Sequence, residues 1–139
     1  MQAITTLYFP GFCEEALAFY RDAIGAEILF HYRVADLVAP ADVKPGTGDR
    51  TLRAGMRIGD SRYYLADGHF TDAPAFAGMA LTLACASAQE AARMLDALAV
   101  GGAVRLPLRS TAWAEALGTV VDRYGLHWTV EAGVRHDTA

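Results

Sequence analysis

The feature that most constrains this chain is an internal repeat of predicted elements. The order strand, helix, strand, strand, strand occurs twice, with helices predicted over 13–24 and 87–100. The pairs Glu15-Ala16 and Glu90-Ala91 begin the two helix cores, and Ser87 with Glu90 forms a capping box. A duplicated unit is the simplest account of this order. Neither half can cover its own sheet with one helix, so each half needs the other or a partner chain.

The repeat predicts a single α+β domain over 1–139, with unit one over 1–68 and unit two over 76–132. A long loop rich in Gly and Pro is predicted over 35–50, and the second unit has no counterpart to it. Residues 133–139 are predicted to form a frayed tail. The strands are predicted over 3–9, 27–34, 51–58, 61–66, 78–85, 103–108, 113–121 and 126–131.

Composition excludes several classes of protein. Apolar residues make up 53% and charged residues 20%, which excludes an intrinsically disordered chain. The net charge is −4 and no Lys/Arg run occurs, so we expect no nucleic-acid partner. The longest weakly polar stretch, 73–88, is too short to cross a bilayer, so we expect no membrane partner. The chain opens without a basic n-region and an apolar h-region, which predicts a cytoplasmic protein without a signal peptide.

Short motifs run almost end to end and keep a fixed order. Most of them lie at the turns before and after the predicted helices and hairpins. They are Tyr8-Phe9-Pro10-Gly11-Phe12-Cys13-Glu14-Glu15-Ala16, Phe19-Tyr20, Gly25-Ala26-Glu27, Met56-Arg57-Ile58-Gly59-Asp60-Ser61, Ala66-Asp67, Trp113, and Gly118-x-Val120-x-Asp122-x-Tyr124-Gly125-x-x-Trp128.

In this order and spacing the motifs resemble the vicinal oxygen chelate superfamily, which includes glyoxalase I, bleomycin-resistance proteins and extradiol dioxygenases. More narrowly they resemble its PhnB-like branch, also called 3-demethylubiquinone methyltransferase-like. The resemblance implies tandem βαβββ units that form a curved mixed sheet with a concave central cavity. It also implies a homodimer. The methyltransferase label would need a Gly-rich strand-to-helix loop for a methyl donor, which the sequence lacks, so we expect no cofactor.

The resemblance also locates the positions at which metal enzymes of the superfamily hold their ion. These positions fall at Ile4, Tyr64, Gly78 and Thr129. A divalent metal would need histidine nitrogens or carboxylate oxygens there, and none of the four supplies one. We therefore expect no metal.

Strand alternation predicts which side chains face the cavity. Arg53 could clamp a carboxylate or phosphate of a ligand, or it could pair with Glu131 or Glu115 across the cavity. Aromatic side chains could form a wall for an apolar ligand, or they could fill the space of the missing metal. The candidate ligand-binding residues are Tyr8, Arg53, Arg62, Tyr64, Trp113, Glu115, His127 and Glu131.

Other reactive side chains each allow two interpretations. His127 is an acid/base or ligand anchor in one and an ordinary rim histidine in the other. His31 and His69 have no carboxylate or Cys partner in sequence and are expected on the surface. Cys13 lies at a helix N-terminus, which lowers a thiol pKa, but no His or Lys accompanies it in sequence, and we favour the interpretation of a helix-start residue with a half-buried thiol.

Three functions follow as hypotheses. The first is a metal-independent protein that binds a small amphipathic molecule, and Arg53 with Arg62 favours an anionic one. The second is a metal-dependent lyase, isomerase or dioxygenase with a site rebuilt from His127, Glu131 and Glu115. The third is an interaction module without a ligand.

Overall fold

The structure, a computed structural model, describes residues 1–68 and 74–136 of the chain. It divides into two compact units, Met1–Pro74 and Ala75–Ala139. Each unit contains a strand, a helix and three further strands, so the predicted α+β class and the doubled βαβββ order are confirmed. Within the described residues, no helix has the length and apolar character needed to cross a membrane.

The first unit is a four-stranded mixed sheet with one long helix. The sheet order is β1-β4-β3-β2, in which β1 and β4 are parallel and the other neighbours antiparallel. Leu7, Met56 and Leu65 are buried on one sheet face, together with Leu17 and Tyr20 of the helix. The elements are β1 Thr5–Tyr8, α1 Cys13–Ile24, β2 Glu27–Arg33, α2 Val34–Leu37, β3 Thr51–Ile58 and β4 Ser61–Ala66.

The segment between β2 and β3 contains more structure than the loop predicted over 35–50. It begins with α2 and continues into a 3-10 turn at Pro40–Asp42. The Val34 N–H donates to the Arg50 carbonyl (2.9 Å), and the Ala35 N–H donates to the Gly48 carbonyl (3.0 Å). The segment therefore closes at its base. We call residues 34–50 the closed loop.

The second unit repeats the plan without a closed loop. Its sheet order is β5-β8-β7-β6, again with the outer pair β5 and β8 parallel. The predicted capping box is confirmed, because Ser87 Oγ accepts from the Glu90 N–H (3.0 Å) and Glu90 Oε2 accepts from the Ala86 N–H (2.7 Å). The elements are β5 Leu81–Cys85, α3 Ala88–Leu98, β6 Ala103–Arg109, β7 Ala114–Val121 and β8 His127–Val134.

Six of the eight predicted strands differ from the structure at one or both ends, and three of these differences change the placement of residues discussed above. β8 continues to Val134, so Gly133 and Val134 are paired strand rather than tail, and residues 137–139 lie outside the described part. β5 begins at Leu81 rather than at residue 78, and Met79, inside the predicted strand, is exposed and lies before β5. Trp113 precedes β7 rather than opening it. Apolar residues beside a strand end carry the same sequence signal as residues inside the strand.

Candidate functional site

The first unit contains a cavity of about 690 Å³ between the closed loop and residues of β1, β3 and the end of β4. Tyr8, Val34, Val38 and Leu52 supply apolar surface to its wall. The ionisable side chains in the wall are Asp42, Lys44, Arg50, Arg53 and Asp67. Of the predicted ligand-binding residues, Tyr8 and Arg53 therefore line one cavity.

The position of the Tyr8 ring depends on Gly68, which follows β4, the parallel neighbour of β1. Tyr8 pairs with Ala66, and the chain then turns at Gly68, which has a φ of +74°. A Cβ at this glycine would lie 2.7 Å from Cδ1 of Tyr8. Gly68 thus lets the backbone turn and lets the Tyr8 ring lie against it.

Arg53 is held by a stack of aromatic rings on the sheet face opposite α1. Its Cζ lies 3.8 Å from the centroid of the Tyr64 ring, a cation–π contact. Phe30 lies 6.1 Å from Tyr64 and 5.5 Å from Tyr32, measured between ring centroids. A Cβ at Gly55 would overlap the Phe30 ring, so glycine is required for this close approach. We call Phe30, Tyr32 and Tyr64 the aromatic stack.

The guanidinium of Arg53 forms no ion pair with a carboxylate among residues 1–68. Among the described residues of this unit, the ion pairs are Arg21–Asp22, Arg33–Glu14 and Arg57–Glu27. Since Arg53 is exposed and rests on a ring, its charge can still be matched by an anion in the cavity. Arg62, by contrast, lies two residues from Tyr64 on β4 and outside the cavity wall.

Asp67 is a buried carboxylate that joins three elements at the cavity wall. Its Oδ1 accepts from the Cys13 N–H (3.2 Å) and its Oδ2 accepts from the Thr51 N–H (2.6 Å). The Asp67 N–H in turn donates to the Thr51 carbonyl (3.1 Å). The carboxylate therefore caps the first turn of α1, which has no side-chain cap of its own, and a negative charge is favourable there.

The Cys13 thiol is buried and unreactive. Burial raises its pKa from 9.0 to about 12; a hydrogen bond with the Thr51 side chain lowers it, and the charges of Asp67 and Glu14 raise it further. The interpretation of Cys13 as a thiol activated by the helix N-terminus is therefore wrong, because desolvation outweighs the dipole. The half-buried structural thiol of the other interpretation is in fact almost fully buried.

His31 is not the surface residue that the sequence suggested. It is half-buried in β2, and its Nε2 lies 2.7 Å from Thr51 Oγ1. No sequence pattern indicated this partner, because Thr51 lies 20 positions away and comes near His31 only through the pairing of β2 with β3. His69 lies outside the described residues.

The remaining candidates belong to the second unit. Glu115, His127 and Glu131 lie on one face of the β7–β8 pair, and Trp113 is exposed just before β7. The opposite face is buried and contains Trp128. The alternation predicted for β8 is therefore confirmed.

These residues do not form a metal centre. His127 and Glu131 are four positions apart on one strand, about 13 Å between Cα atoms, whereas zinc ligands lie about 2 Å from their ion. The described chain contains no group of three or more His, Cys, Asp or Glu side chains placed to hold a metal. The side chains at Ile4, Tyr64, Gly78 and Thr129 do not fit the metal of the superfamily either.

Sequence reasoning missed the cavity residues that the closed loop contributes and the ring beside Tyr64. Lys44 and Arg50 lie in a segment without periodicity, so no pattern indicated where they point. Phe30 was detectable, because strand alternation with Tyr32 places both on one face and Gly55 is its register partner.

Known proteins that resemble this chain cover nearly its whole length. Protein YjdN of Escherichia coli K12 is 27% identical over 134 residues, which are 89% of this chain and 90% of that protein. The crystal structure of protein PA1353 from Pseudomonas aeruginosa is 31% identical and has a TM-score of 0.82, covering 95% of this chain and 97% of that one. The PhnB protein from Bacillus cereus, described as a 3-demethylubiquinone-9 3-methyltransferase, is 24% identical with a TM-score of 0.78, covering 95% and 99%.

A fold likeness extends further. The glyoxylase/bleomycin resistance protein/dioxygenase domain from Frankia sp. EAN1pec has a TM-score of 0.63 at 14% identity and covers 99% of this chain and 95% of that one. At this identity the likeness concerns the fold alone.

The model of the family described as 3-demethylubiquinone-9 3-methyltransferase matches residues 1–131. A methyl donor does not fit the strand-to-helix turns of this chain: the β1–α1 turn has one glycine, Gly11, and the β5–α3 turn, Ala86-Ser87, has none. Membership of this family therefore does not by itself imply a methyl-transfer reaction. By its match to the family model over residues 1–131, the chain belongs to the 3-demethylubiquinone-9 3-methyltransferase family, and it shares its fold with PA1353, the Bacillus cereus PhnB protein and the Frankia domain.

Proposed function

We propose that this protein binds a small amphipathic anion in the cavity of its first unit and does so without a metal. The ligand places an acidic group at Arg53 and an apolar body along Tyr8, Val38 and Leu52. One observation carries the proposal: a cavity of about 690 Å³ joins an apolar wall to an arginine that pairs with no carboxylate in the described part of its unit. Ligand sites of this kind combine apolar walls with a few placed polar groups.

The arrangement of Arg53 supports binding of an acid. A guanidinium fork matches a carboxylate or phosphate with two parallel hydrogen bonds. The Tyr64 ring under Arg53 limits the orientations of the guanidinium, so less side-chain freedom is lost when an anion binds.

The cavity also favours a binding protein over the two other hypotheses. A space of this volume accommodates a ligand, whereas an interaction module without a ligand needs none. A metal-dependent lyase, isomerase or dioxygenase would need donor side chains, and His127, Glu115 and Glu131 do not form a ligand set.

The test compares matched acids and amides. Naphthalene carboxylate and naphthalene carboxamide share one ring system and differ in charge. We expect the carboxylate to bind more tightly by isothermal titration calorimetry, and Arg53→Gln to weaken it by about 1.5 kcal/mol, about tenfold. This lies at the lower end of the range for a charged hydrogen bond, because Arg53 is solvated before binding.

Arg62→Gln is the matched control, since it removes one positive charge on the same sheet outside the cavity wall. It should leave both affinities unchanged. Equal affinities for the carboxylate and the carboxamide, unaltered by Arg53→Gln, would show that Arg53 does not bind the anion, as expected if Glu115 or Glu131 neutralised it.

A further inference from the structure

We infer that the ligand carries two separated acidic groups, one bound by Arg53 on β3 and the other by Lys44 on the closed loop. This inference rests on the proposed function and specifies its ligand class. The two cations reach the same cavity from two different elements, a strand and a loop. The class is therefore dicarboxylates, or phosphate esters with a distant carboxylate, built on an apolar body.

Lys44 is the only lysine of the chain, and it lies in the cavity wall. Thr47 fixes the local backbone, because both its N–H (3.1 Å) and its hydroxyl (2.6 Å) donate to the Lys44 carbonyl. Among the described residues of the first unit, no carboxylate lies within ion-pair distance of the ammonium group. A defined backbone thus presents an ammonium whose charge is not matched within the unit.

The charges of the wall favour a dianion. Lys44, Arg50 and Arg53 are three cations, and Asp42 and Asp67 are two carboxylates. Both oxygens of Asp67 already accept backbone N–H groups, which compensates part of its charge. The cavity wall is therefore locally positive on a chain whose net charge is −4. A wall with an excess of positive charge attracts ligands of negative charge.

The experiment uses three probes on the intact chain: naphthalene carboxamide, naphthalene carboxylate, and naphthalene dicarboxylate with its acids at opposite ends. We expect affinity to rise at each step of this series. The second step should be about threefold, as for an exposed ion pair, and should shrink at high salt. Lys44→Gln should remove the second step and keep the first.

The matched control is Arg93→Gln, an exposed residue of α3 with the same charge change. It should preserve both steps. If Arg93→Gln reduced the second step as much as Lys44→Gln, the gain would come from the net charge of the protein and the inference would be wrong.

The single lysine permits an independent measurement. Amine acylation followed by peptide mapping reports on Lys44 and the Met1 amino group only. The dicarboxylate should slow acylation of Lys44 and leave Met1 unchanged, whereas the monocarboxylate should protect Lys44 much less.

The outcomes separate the two proposals. The two-acid inference is wrong, and the proposed function stands, if the carboxylate binds more tightly than the carboxamide but the dicarboxylate gains nothing further and does not selectively protect Lys44. If the carboxylate gains nothing over the carboxamide and none of the three probes binds, both the proposed function and the two-acid inference are wrong.

Discussion

Two buried aspartates perform the same chemical task in different places. Asp67 accepts two backbone N–H groups at the start of α1 and β3. Asp122 Oδ1 accepts from the N–H groups of Tyr124 and Leu126, and its Oδ2 accepts from Trp128 Nε1 (2.9 Å). Asp122 thereby holds the β7–β8 turn together. A buried carboxylate is tolerated because the donors around it replace water.

The Cys13 thiol predicts a loss of stability in alkali. Its pKa is about 12 in the folded chain against 9.0 for an ordinary thiol, so ionisation favours the unfolded chain above pH 9. Stability from this group is complete below pH 9 and is lost as the pH rises toward 12. Between about pH 8 and about pH 10.5 we expect a loss of about 2 kcal/mol in the free energy of unfolding.

Cys13→Ala isolates this effect, because it removes the thiol and leaves every other titrating group. The stability difference between wild type and Cys13→Ala, from urea denaturation at each pH, should fall by that amount over the range. Cys85→Ala is the control: burial raises the pKa of Cys85 as well, but that side chain is only half-buried. If the stability difference between wild type and Cys13→Ala stays constant with pH, the prediction is wrong.

Helices and strands with a regular apolar period could be predicted from the sequence, whereas elements in segments without such a period could not. The bounds predicted for α1, β3 and β4 match the structure, because period and turn residues agree there. The two short helices of the closed loop were missed, since α2 depends on Asp36 accepting the Arg33 N–H (2.8 Å) rather than on an apolar face. The cavity was missed in part for the same reason, because Lys44 and Arg50 are placed by the loop.

The close packing of the aromatic stack against Gly55 predicts that adding one methyl group there lowers the stability of the fold. The Cβ added by Gly55→Ala would lie closer to the edge of the Phe30 ring than van der Waals contact allows. The ring must therefore move away from its place beside Tyr64. Overpacking of this kind costs about 1–3 kcal/mol. We expect that loss in the free energy of unfolding, measured by urea denaturation.

Two further variants test the cause of that loss. Gly48→Ala meets ordinary contacts, Ala35 Cβ at 3.5 Å being the nearest, and should change stability by less than about 0.5 kcal/mol. Phe30→Leu in the Gly55→Ala background should recover part of the loss. Equal destabilisation by both glycine substitutions would show that backbone freedom, and not the Phe30 ring, sets the effect.

For the whole molecule, the side chains at the four positions that the resemblance marks as metal sites predict the metal content. Ile4, Tyr64, Gly78 and Thr129 offer no imidazole or carboxylate. Elemental analysis after mild purification should find zinc, nickel, iron and manganese far below one ion per chain. A content near one ion per chain that survives dialysis would contradict this expectation.

The whole chain is also expected to form a homodimer. Val100, Val104 and Trp113 are large apolar side chains exposed in the second unit, and β6 lies at a sheet edge. Symmetric pairing is the commonest way to cover such surfaces. Sedimentation equilibrium at micromolar concentration should give the mass of two chains. A single species at the mass of one chain would rule the dimer out.

The closed loop has a consequence for how this protein can change over generations. Its base is fixed by the Val34–Arg50 and Ala35–Gly48 backbone hydrogen bonds, which depend on no particular side chain. Substitutions between these anchors alter the cavity wall without touching the buried residues of either sheet. The second unit has no such segment between its corresponding strands. Mutations within this one segment can therefore change the ligand while the packed elements of both units stay as they are.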